Sequence, residues 1–382
     1  MAITVYEGKT WYPIRSGNYC PICNSKKGRC SVLIDEKQQP VMYRCKYAIS
    51  NRASGDGWYI HLVNQKLAQK NNNLINSDLI KEIISNKEIE ITEELIELRD
   101  RVYRKFRQVF YSLNGSLLYK EDYENLLERG FTPDEINNIG FFSIPRNIKI
   151  QYENYSCQLK TAIVKELSKT FTEEQLIKVP GFTLIETNDK SFVTFKSTTR
   201  NSKGDIEDIK GYFIPYVGPT GKLEGMQYRL ATPFIDSKGK SIRYFWYSSK
   251  NVSCGSPIDY YVPPNIRNEN YILITEGAIK GKFAASKLGI RSLSEAGITN
   301  YKNVIKALSK IEEIEDREYS VLLALDMDKY QNPDVLSAEI STVSLLKTLG
   351  YDVTILEWNI EDGKGIDDKL NINCKGFRFL NI

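Results

Sequence analysis

Residues 266–382 alternate between short apolar runs and amphipathic segments, and this alternation limits the folds available to that part of the chain. The runs YILITEG, VLLALDMD and DVTILEW are apolar stretches of strand length. Helical patterns separate them, with IKGKFAASKLG and YKNVIKALSKIEEIEDRE before the second run and LSAEISTVSLLKTLG before the third. Apolar strands that are joined by helices form parallel sheets. We therefore predict a parallel α/β domain over 266–382.

Acidic residues follow each of these predicted strands. Glu276 ends the first strand, Asp326 and Asp328 end the second, and Asp367 and Asp368 follow a glycine-rich turn after the third. Ligands of open parallel sheets bind at the carboxyl ends of strands, and residues two apart on a strand point to the same face. Clustered carboxylates repel one another unless a cation neutralises them, and oxygen ligands suit Mg²⁺ or Mn²⁺. The sequence therefore predicts a divalent-metal site at this edge.

Such a site suits phosphoryl chemistry, because one or two ions can activate a 3′-hydroxyl and stabilise a departing pyrophosphate. A structural alternative exists for Glu276, which on its own is also typical of a strand-end acid that caps the next helix. That alternative is weaker for Asp326 and Asp328, because they close an otherwise apolar strand. The chain has one histidine, His61, which excludes a multi-histidine metal site.

Four of the seven cysteines lie in the first 45 residues: Cys20, Cys23, Cys30 and Cys45. The C-x-x-C knuckle directs two thiolates at one metal, and two further thiolates from a small hairpin complete a tetrahedral Zn²⁺ site. Four protein ligands leave no open position, so the zinc would be structural, and it would fold a segment poor in apolar residues.

The cysteine pattern has two alternative interpretations. A chance or redox C-x-x-C is less favoured because no βαβ pattern surrounds it. Replacement of Cys30 by His61 as the fourth ligand is also less favoured. The remaining cysteines are scattered and are predicted to be inert: Cys157, Cys254 and Cys374.

The first 65 residues are basic, with nine Lys and Arg against four Asp and Glu, whereas residues 266–382 carry fifteen against eighteen. In this head Lys26, Arg29, Arg44 and Lys46 are interleaved with tyrosines and tryptophans. Cations that contact phosphates and rings that stack on bases are typical of single-strand binding surfaces. We predict that the head binds single-stranded nucleic acid. The alternative is that its aromatic side chains form a small core around the zinc.

The middle of the chain divides into two patterns. Residues 66–150 have helical periodicity, with a flexible joint at Asn71–Asn73 and a capping box of Thr132 and Glu135. From about residue 180 short aromatic and β-branched runs predict antiparallel strands. The predicted organisation is a zinc-binding head (1–65), a helical linker (66–150), an α+β subdomain (151–265) and the parallel α/β domain (266–382).

The acidic motifs together resemble a known domain. ITEG, LALDMD and DGKGIDD have the order and spacing of the Toprim domain of bacterial primases, topoisomerases and recombination-mediator proteins. The head is similar to the zinc ribbon of phage and bacterial DNA primases. GKLEGMQYRL, followed by IRYFWYSS and CGSP, resembles the subdomain before Toprim in the primase core. In particular, the chain resembles Toprim-bearing replication proteins of phages, plasmids and integrative elements, over residues 15–62 and about 180–372.

The resemblance implies a multi-domain α/β fold with a zinc-ribbon head, a primase-type α+β subdomain and a catalytic Toprim domain. It implies that Glu276 is a general acid/base or a metal-linked group. Asp326 and Asp328 would hold Mg²⁺, and Asp367 or Asp368 would lend a further carboxylate.

Other positions carry over less directly. Arg229 and Arg243 match basic residues that face template or nucleotide phosphates in primases. Lys280 lies one helical turn after Glu276, where primases often have an acid, which implies either a weaker metal site or a phosphate contact. The cysteines also depart from the family, because the third and fourth do not form a second C-x-x-C.

The leading hypothesis is a DNA primase-like nucleotidyltransferase that uses nucleoside triphosphates to make short primers on single-stranded DNA. No G-x-x-x-x-G-K-[ST] motif occurs, so a replicative helicase would be a separately encoded partner. One alternative is a Toprim metal-dependent nuclease or topoisomerase. Another is a non-catalytic, zinc-bearing factor that binds or loads single-stranded DNA. No apolar run reaches about 18 residues and no signal peptide is evident, so we expect a cytoplasmic protein without a membrane span.

Overall fold

The computed structural model describes residues 5–6, 9–13, 20, 22–23, 30–34, 40–46, 48, 58–62, 91–186, 191–200, 206–235, 239, 241–250, 252–297 and 300–382. Three features of the sequence analysis lie outside the described residues, namely Lys26, Arg29 and the predicted joint at Asn71–Asn73. Among the helices that are described, none combines the length and apolar character needed to cross a membrane.

The amino-terminal region is an antiparallel sheet whose strands follow chain order. They are β1 (Val5–Tyr6), β2 (Lys9–Pro13), β3 (Ser31–Ile34), β4 (Pro40–Cys45) and β5 (Tyr59–Leu62). Ser31 pairs with Arg44 in the β3–β4 hairpin. Cys30 precedes that hairpin and Cys45 ends it, so the antiparallel pairing brings the two thiols together as the sequence predicts.

Helices come next: α1 (Glu93–Asn114), α2 (Lys120–Glu128) and α3 (Pro133–Ile139). The predicted capping box begins α3, because the Thr132 side chain accepts from the Glu135 backbone and the Glu135 side chain accepts from the Thr132 backbone. The predicted linker role does not hold for residues 91–150. Val102 and Phe106 of α1 are fully buried in the same core as Phe213 of the following subdomain, since one face of α1 is apolar.

The α+β region that follows is antiparallel, as its sequence pattern predicts. Its elements are β6 (Phe142–Ser143), β7 (Lys149–Tyr152), β8 (Tyr155–Gln158), α4 (Leu159–Ser168), α5 (Glu173–Ile177), β9 (Phe182–Glu186), β10 (Ser191–Phe195), β11 (Thr198–Arg200), β12 (Ile206–Asp208), β13 (Gly211–Val217), β14 (Leu223–Ile235) and β15 (Ser241–Trp246). The main sheet has the order β15–β14–β13–β6. Three hairpins accompany it, β7–β8, β9–β10 and β11–β12.

The carboxyl-terminal region is the predicted parallel sheet with helices. Its elements are β16 (Asp259–Tyr261), β17 (Tyr271–Glu276), α6 (Ala278–Leu288), β18 (Arg291–Glu295), α7 (Tyr301–Glu315), β19 (Ser320–Ala324), α8 (Pro333–Thr348), β20 (Val353–Glu357), α9 (Ile366–Ile372) and β21 (Arg378–Asn381). The order is β16–β18–β17–β19–β20–β21, with antiparallel edge strands. The sequence did not predict β16, β18 or β21, and β16 extends the sheet to residues before 266.

A hydrophobic cluster joins the antiparallel subdomain to the parallel sheet. Tyr212, Ile214 and Tyr216 of β13 pack with Leu273 of β17 and Phe283 of α6. All five side chains are almost completely buried. The two regions therefore share a continuous core, which fixes the parallel sheet relative to β13.

A buried ion pair lies at the same junction. The Lys282 ammonium of α6 donates to both carboxylate oxygens of Asp259 on β16, each at 2.6 Å, and both side chains are removed from solvent. Asp259 also accepts the backbone N–H of Val217 at 3.0 Å, at the end of β13. The ammonium further lies 5.3 Å from the centroid of the Tyr261 ring. One carboxylate thus ties together a helix, an edge strand and the neighbouring subdomain.

We predict that Lys282→Met destabilises the chain by about 3–5 kcal/mol, because it leaves the Asp259 carboxylate buried without its cation. Urea unfolding measures this loss. Lys287→Met is the matched control on the same helix. Lys287 is half-buried, and its ammonium lies 3.5 Å from the Glu135 carboxylate, a longer contact than the buried pair makes. This substitution should lower the free energy of unfolding by less than about 1 kcal/mol. Equal losses in the two variants would contradict the role given to the buried pair.

Candidate functional site

The four head cysteines form a compact cluster. Their sulfur atoms all lie within 4.8 Å of one another, and the residues are buried. Cys30 is 3.6 Å from Cys23 and 3.5 Å from Cys45, sulfur to sulfur. Sulfurs about 2.3 Å from a tetrahedral zinc lie about 3.8 Å apart, so the spacing fits this metal. The sequence prediction of a four-cysteine centre agrees with this geometry.

The surroundings of the cluster also suit a thiolate centre. The backbone N–H of Ala48 donates to the Cys45 sulfur at 3.3 Å, a contact that favours negative charge on sulfur. Hydrogen bonds among the four thiols lower the pKa of Cys20 and raise the pKa of Cys30. His61 is not a ligand; its Nε2 lies 2.9 Å from the Ala48 carbonyl oxygen, and burial lowers its pKa. Cys30 thus keeps the fourth position.

Basic side chains next to the cysteines gather on an aromatic ring. The guanidinium of Arg44 lies 4.8 Å from the centroid of the Trp58 ring, and the ammonium of Lys46 lies 5.9 Å from it. Trp58 is half-buried, so it is neither a core residue nor a freely exposed one. The neighbouring Tyr59 is buried, but not in the cysteine cluster, which contains no aromatic side chain among the described residues. Single-strand binding by the head stays a prediction.

Tyr59 connects the head to the parallel domain. Its ring belongs to the core cluster that contains Ile258 and Leu293, and Tyr301 at the start of α7 packs against the same cluster. The head is therefore in direct contact with the domain that carries the acids.

The predicted acids gather at the carboxyl edge of the parallel sheet. Glu276 ends β17, and Gly277, with φ of +85°, turns the chain directly into α6. Asp326 follows β19, but the strand ends at Ala324 and Asp328 lies in a short 3₁₀ turn, Met327–Tyr330. The alternation expected along a strand is therefore replaced by a turn. Both aspartates nevertheless face one partner, the ammonium of Lys364.

Two lysines neutralise this pair of aspartates. Lys280 Nζ donates to Asp326 Oδ1 at 2.5 Å. Lys364 Nζ lies 2.8 Å from Asp328 Oδ2 and 3.5 Å from Asp326 Oδ2. Burial disfavours the Lys280 ammonium, but Asp326, Asp367 and Glu276 together outweigh burial and leave the pKa of Lys280 raised. Lys364 differs because its side chain is 57% exposed and free to move into solvent.

The glycine-rich loop fits closely around Lys280. A side chain at Gly365 would lie 2.6 Å from Asp367 Oδ1 and 3.2 Å from Lys280 Cε. The loop is held in place by the Met327 N–H, which donates to the Lys364 carbonyl at 2.9 Å. Only glycine at 365 therefore lets the loop approach the lysine without displacing it.

The remaining acids lie at the start of α9. Asp367 accepts from Arg129 at 3.1 Å, a residue of the loop after α2, and burial raises the pKa of Asp367. Asp368 accepts the Gly365 N–H at 3.1 Å, so part of its role is to cap the helix. Burial also raises the pKa of Glu276, an effect that Lys280 opposes and Asp326 reinforces.

The acid edge fits a hard cation through its unused oxygens. Asp328 Oδ1 and Asp367 Oδ1 are buried and have no hydrogen-bond partner in the described structure. All donors are carboxylates, which suits Mg²⁺ or Mn²⁺. The edge is more open than the cysteine centre, because within the described residues only the four cysteines meet as a group of three or more donors within 4.8 Å. The two lysine ammoniums account for the wider spacing.

A cavity of about 500 Å³ lies next to the acid edge. Met327 and Trp358 line it together with Tyr330 and Arg378. The Tyr330 hydroxyl donates to Glu357 at 2.5 Å, and Arg378 lies 3.2 Å from the same carboxylate. Both side chains are exposed. The cavity thus offers an aromatic ring from the short turn that contains Asp328, and a cation from the start of β21.

The two predicted arginines lie in the antiparallel sheet. Arg229 on β14 is only 4% exposed, and its guanidinium is 5.7 Å from the centroid of the Tyr212 ring. Arg243 on β15 is half-buried and thus the more accessible of the two. Phosphate contact stays a prediction for both.

Sequence reasoning missed Lys364, Arg129 and Glu295. Lys364 stands inside the quoted DGKGIDD motif, where a lysine between two glycines was a usable signal. Arg129 pairs with an acid 238 positions away, which no local pattern reveals. Glu295 ends β18, a strand that the sequence analysis did not identify.

Comparisons with known proteins give the following similarities. A family model described as a domain of unknown function (DUF3854) matches residues 265–376. No curated protein matches the chain. Among solved structures, the zinc-binding and RNA polymerase domains of the Aquifex aeolicus primase are 14% identical, with a TM-score of 0.45, over 100% of this chain and 81% of that chain.

Two further solved structures are similar. The RNA polymerase domain of Mycobacterium tuberculosis primase DnaG is 14% identical, with a TM-score of 0.43, over 72% of this chain and 80% of that chain. The primase fragment of the bacteriophage T7 primase-helicase protein is 14% identical, with a TM-score of 0.27, over 46% of this chain and 63% of that chain.

We predict that Cys20→Ser lowers the zinc content from one ion per chain to nearly none, because structural zinc in small domains contributes roughly 10–16 kcal/mol that a missing thiolate forfeits. Metal analysis and limited proteolysis of residues 1–65 measure the effect. Cys157→Ser is the matched control, since Cys157 is half-buried and outside the cluster. Full zinc content in Cys20→Ser would refute the assignment of the centre.

Proposed function

We propose that the chain is a DNA primase-type nucleotidyltransferase that makes short primers on single-stranded DNA. One observation carries the proposal: Glu276, Asp326 and Asp328 lie with Asp367 at one carboxyl edge of a parallel sheet. These are the acids on which the Toprim resemblance rests. A four-cysteine centre in the same chain adds support, because a zinc ribbon precedes the primase core in the proteins that the sequence resembles.

The proposed catalytic ion is Mg²⁺ or Mn²⁺. Glu276, Asp326 and Asp328 would hold it, with Asp367 or Asp368 as a further carboxylate. When bound, the ion supplies positive charge that neutralises phosphate oxygens and lowers the pKa of a coordinated hydroxyl. The unused oxygens of Asp328 and Asp367 support this assignment.

Two lysines and the neighbouring cavity complete the proposed site. Lys364 is exposed, and among the described residues its ammonium pairs with aspartates alone, so the side chain can move to a phosphate when a cation takes its place. Lys280 is held by Asp326 and is half-buried, which suits a fixed phosphate contact. The cavity beside Met327 suits a nucleotide, since Tyr330 offers a ring for a base and Arg378 a cation for a phosphate.

The proposed template surface lies on the head. Arg44 and Lys46 flank Trp58, which combines cations for phosphates with a ring for base stacking. Lys26 and Arg29 are proposed to extend this surface, and Arg243 and Arg229 are proposed to contact phosphates in the core. Nucleoside triphosphates are the proposed substrates, and a separately encoded replicative helicase is the proposed partner.

The Asp326→Asn/Asp328→Asn double variant tests the catalytic site. We expect primer synthesis on single-stranded DNA, with Mg²⁺ or Mn²⁺ and nucleoside triphosphates, to fall at least about 100-fold, because the carboxylates that hold charge at the reacting phosphate are lost. Binding of single-stranded DNA should be unchanged or stronger, since repulsion between the acids and phosphate is removed. Gel analysis of labelled products measures synthesis.

Asp352→Asn is the matched control, because Asp352 lies immediately before β20, at the opposite edge of the sheet. It should leave synthesis unchanged. DNA that is degraded by the wild type without primer formation would replace the proposal with a metal-dependent nuclease. Strong DNA binding with neither activity would leave a binding or loading factor.

Trp58→Ala tests the template surface. We expect the affinity for single-stranded DNA to fall roughly 5- to 150-fold, because stacking of one base on an aromatic ring contributes about 1–3 kcal/mol. Trp58→Phe should retain part of that affinity, and both variants should keep their zinc. Fluorescence anisotropy of a labelled oligonucleotide measures the change. Wild-type affinity in Trp58→Ala would place the template elsewhere.

A further inference from the structure

Glu295 ends β18 directly beside Glu276. The two residues are register partners on neighbouring parallel strands, and the Gly277 N–H donates to the Glu295 carbonyl at 2.6 Å. Side chains of register partners point to the same face, from backbones about 4.8 Å apart. A second glutamate therefore lies at the acid edge, next to the one that the sequence identified.

The Glu295 carboxylate is buried and incompletely bonded. The residue is 2% exposed, and its Oε2 atom has no hydrogen-bond partner in the described part of the chain. The group accepts one backbone N–H, from Asn300. Native proteins rarely leave a buried carboxylate oxygen unbonded, so an unbonded oxygen on the register partner of a second glutamate indicates a ligand.

The lysine and arginine side chains at this edge form ion pairs with other acids. Lys280 and Lys364 bind Asp326 and Asp328, and Arg129 binds Asp367. Within the described residues neither Glu276 nor Glu295 has an ion pair of its own, although Lys280 and Lys364 are close enough to Glu276 to lower its pKa.

The electrostatics of the pair agree with this description. Burial, together with the neighbouring Glu276 charge, raises the pKa of Glu295 to about 8. Tyr301, the other titratable group facing Glu295, is neutral at physiological pH, because burial raises its pKa above the ordinary value. A divalent cation would relieve both the repulsion and the burial of charge.

We propose that Glu276 and Glu295 together bind a second divalent cation, Mg²⁺ or Mn²⁺, separate from the ion at Asp326 and Asp328. The second ion would lie at the ends of β17 and β18, and the first at the end of β19. Glu276 lies between the two positions, because β17 lies between β18 and β19 in the sheet. The inference rests on the proposed function for its purpose, which is a second contact to the phosphates of a nucleotide.

The test is the number of Mn²⁺ ions bound by the full, zinc-loaded chain, measured by electron paramagnetic resonance of free Mn²⁺. We expect Glu295→Gln to bind one ion fewer than the wild type, Asp328→Asn also one fewer, and the double variant two fewer. Asp352→Asn is the control for unspecific acidic sites and should bind the wild-type number. Zinc content and cooperative thermal unfolding verify that each variant is folded.

Folded Glu295→Gln that binds the wild-type number of Mn²⁺ ions with wild-type affinity would overturn the proposal and leave two glutamates that share a proton. A second comparison avoids substitution at 295. Glu276→Gln/Asp328→Asn should lose two ions relative to the wild type, and a loss of one would also overturn the proposal.

Primer synthesis on the same preparations separates this inference from the proposed function. If one Mn²⁺ ion depends on Glu295 but the protein makes no primer, the proposed function is rejected and the second site is kept. If primer synthesis depends on Asp328 but the number of bound Mn²⁺ ions does not change in Glu295→Gln, the second site is rejected and the proposed function is kept.

Discussion

The contact between Lys282 and Asp259 determines how the two large parts of the chain meet. Asp259 also accepts the Val217 N–H, so the carboxylate connects α6, β16 and the end of β13 at one buried point. A buried charge is tolerated only with its partner in place, which makes this geometry all-or-none. Tyr212, Ile214 and their neighbours pack around it without a gap between the two regions. The acid edge is therefore held by a scaffold whose halves cannot slide past each other.

The acid edge balances its charges in two ways. Asp326, Asp328 and Asp367 have lysine or arginine partners from the same fold, and these partners come from α6, the glycine-rich loop and the segment after α2. The two strand-end glutamates have no such partners among the described residues. In one part of the edge the carboxylates are paired with lysine or arginine. In the other part the glutamate carboxyl groups have no cationic partner among the described residues. This division distinguishes the site from a simple cluster of acids.

The sequence predicted the elements whose signals are local. Continuous apolar runs identified β17, β19 and β20, spacing identified the four cysteines, and Thr132 with Glu135 identified the start of α3. It missed β18, because RSLSE is mostly polar. That strand is buried since Gly281 lets α6 approach within contact distance of Ser294, a tertiary effect. The linker prediction failed for α1 for a related reason: its apolar face is visible, but the core that covers it comes from strands 100 residues later.

Tyr59 makes the cysteine-bearing head part of the hydrophobic core of the parallel domain. Its ring closes the cluster formed by Ile258, Leu293 and Tyr301. Tyr301 begins α7, immediately after Asn300, whose N–H holds the Glu295 carboxylate. Folding of the head, zinc occupancy and order at the acid edge are therefore thermodynamically linked, and linkage of this kind acts in both directions. With zinc on the four cysteines, the melting temperature of the parallel domain accordingly depends on the concentration of free zinc, although the four cysteines lie outside that domain.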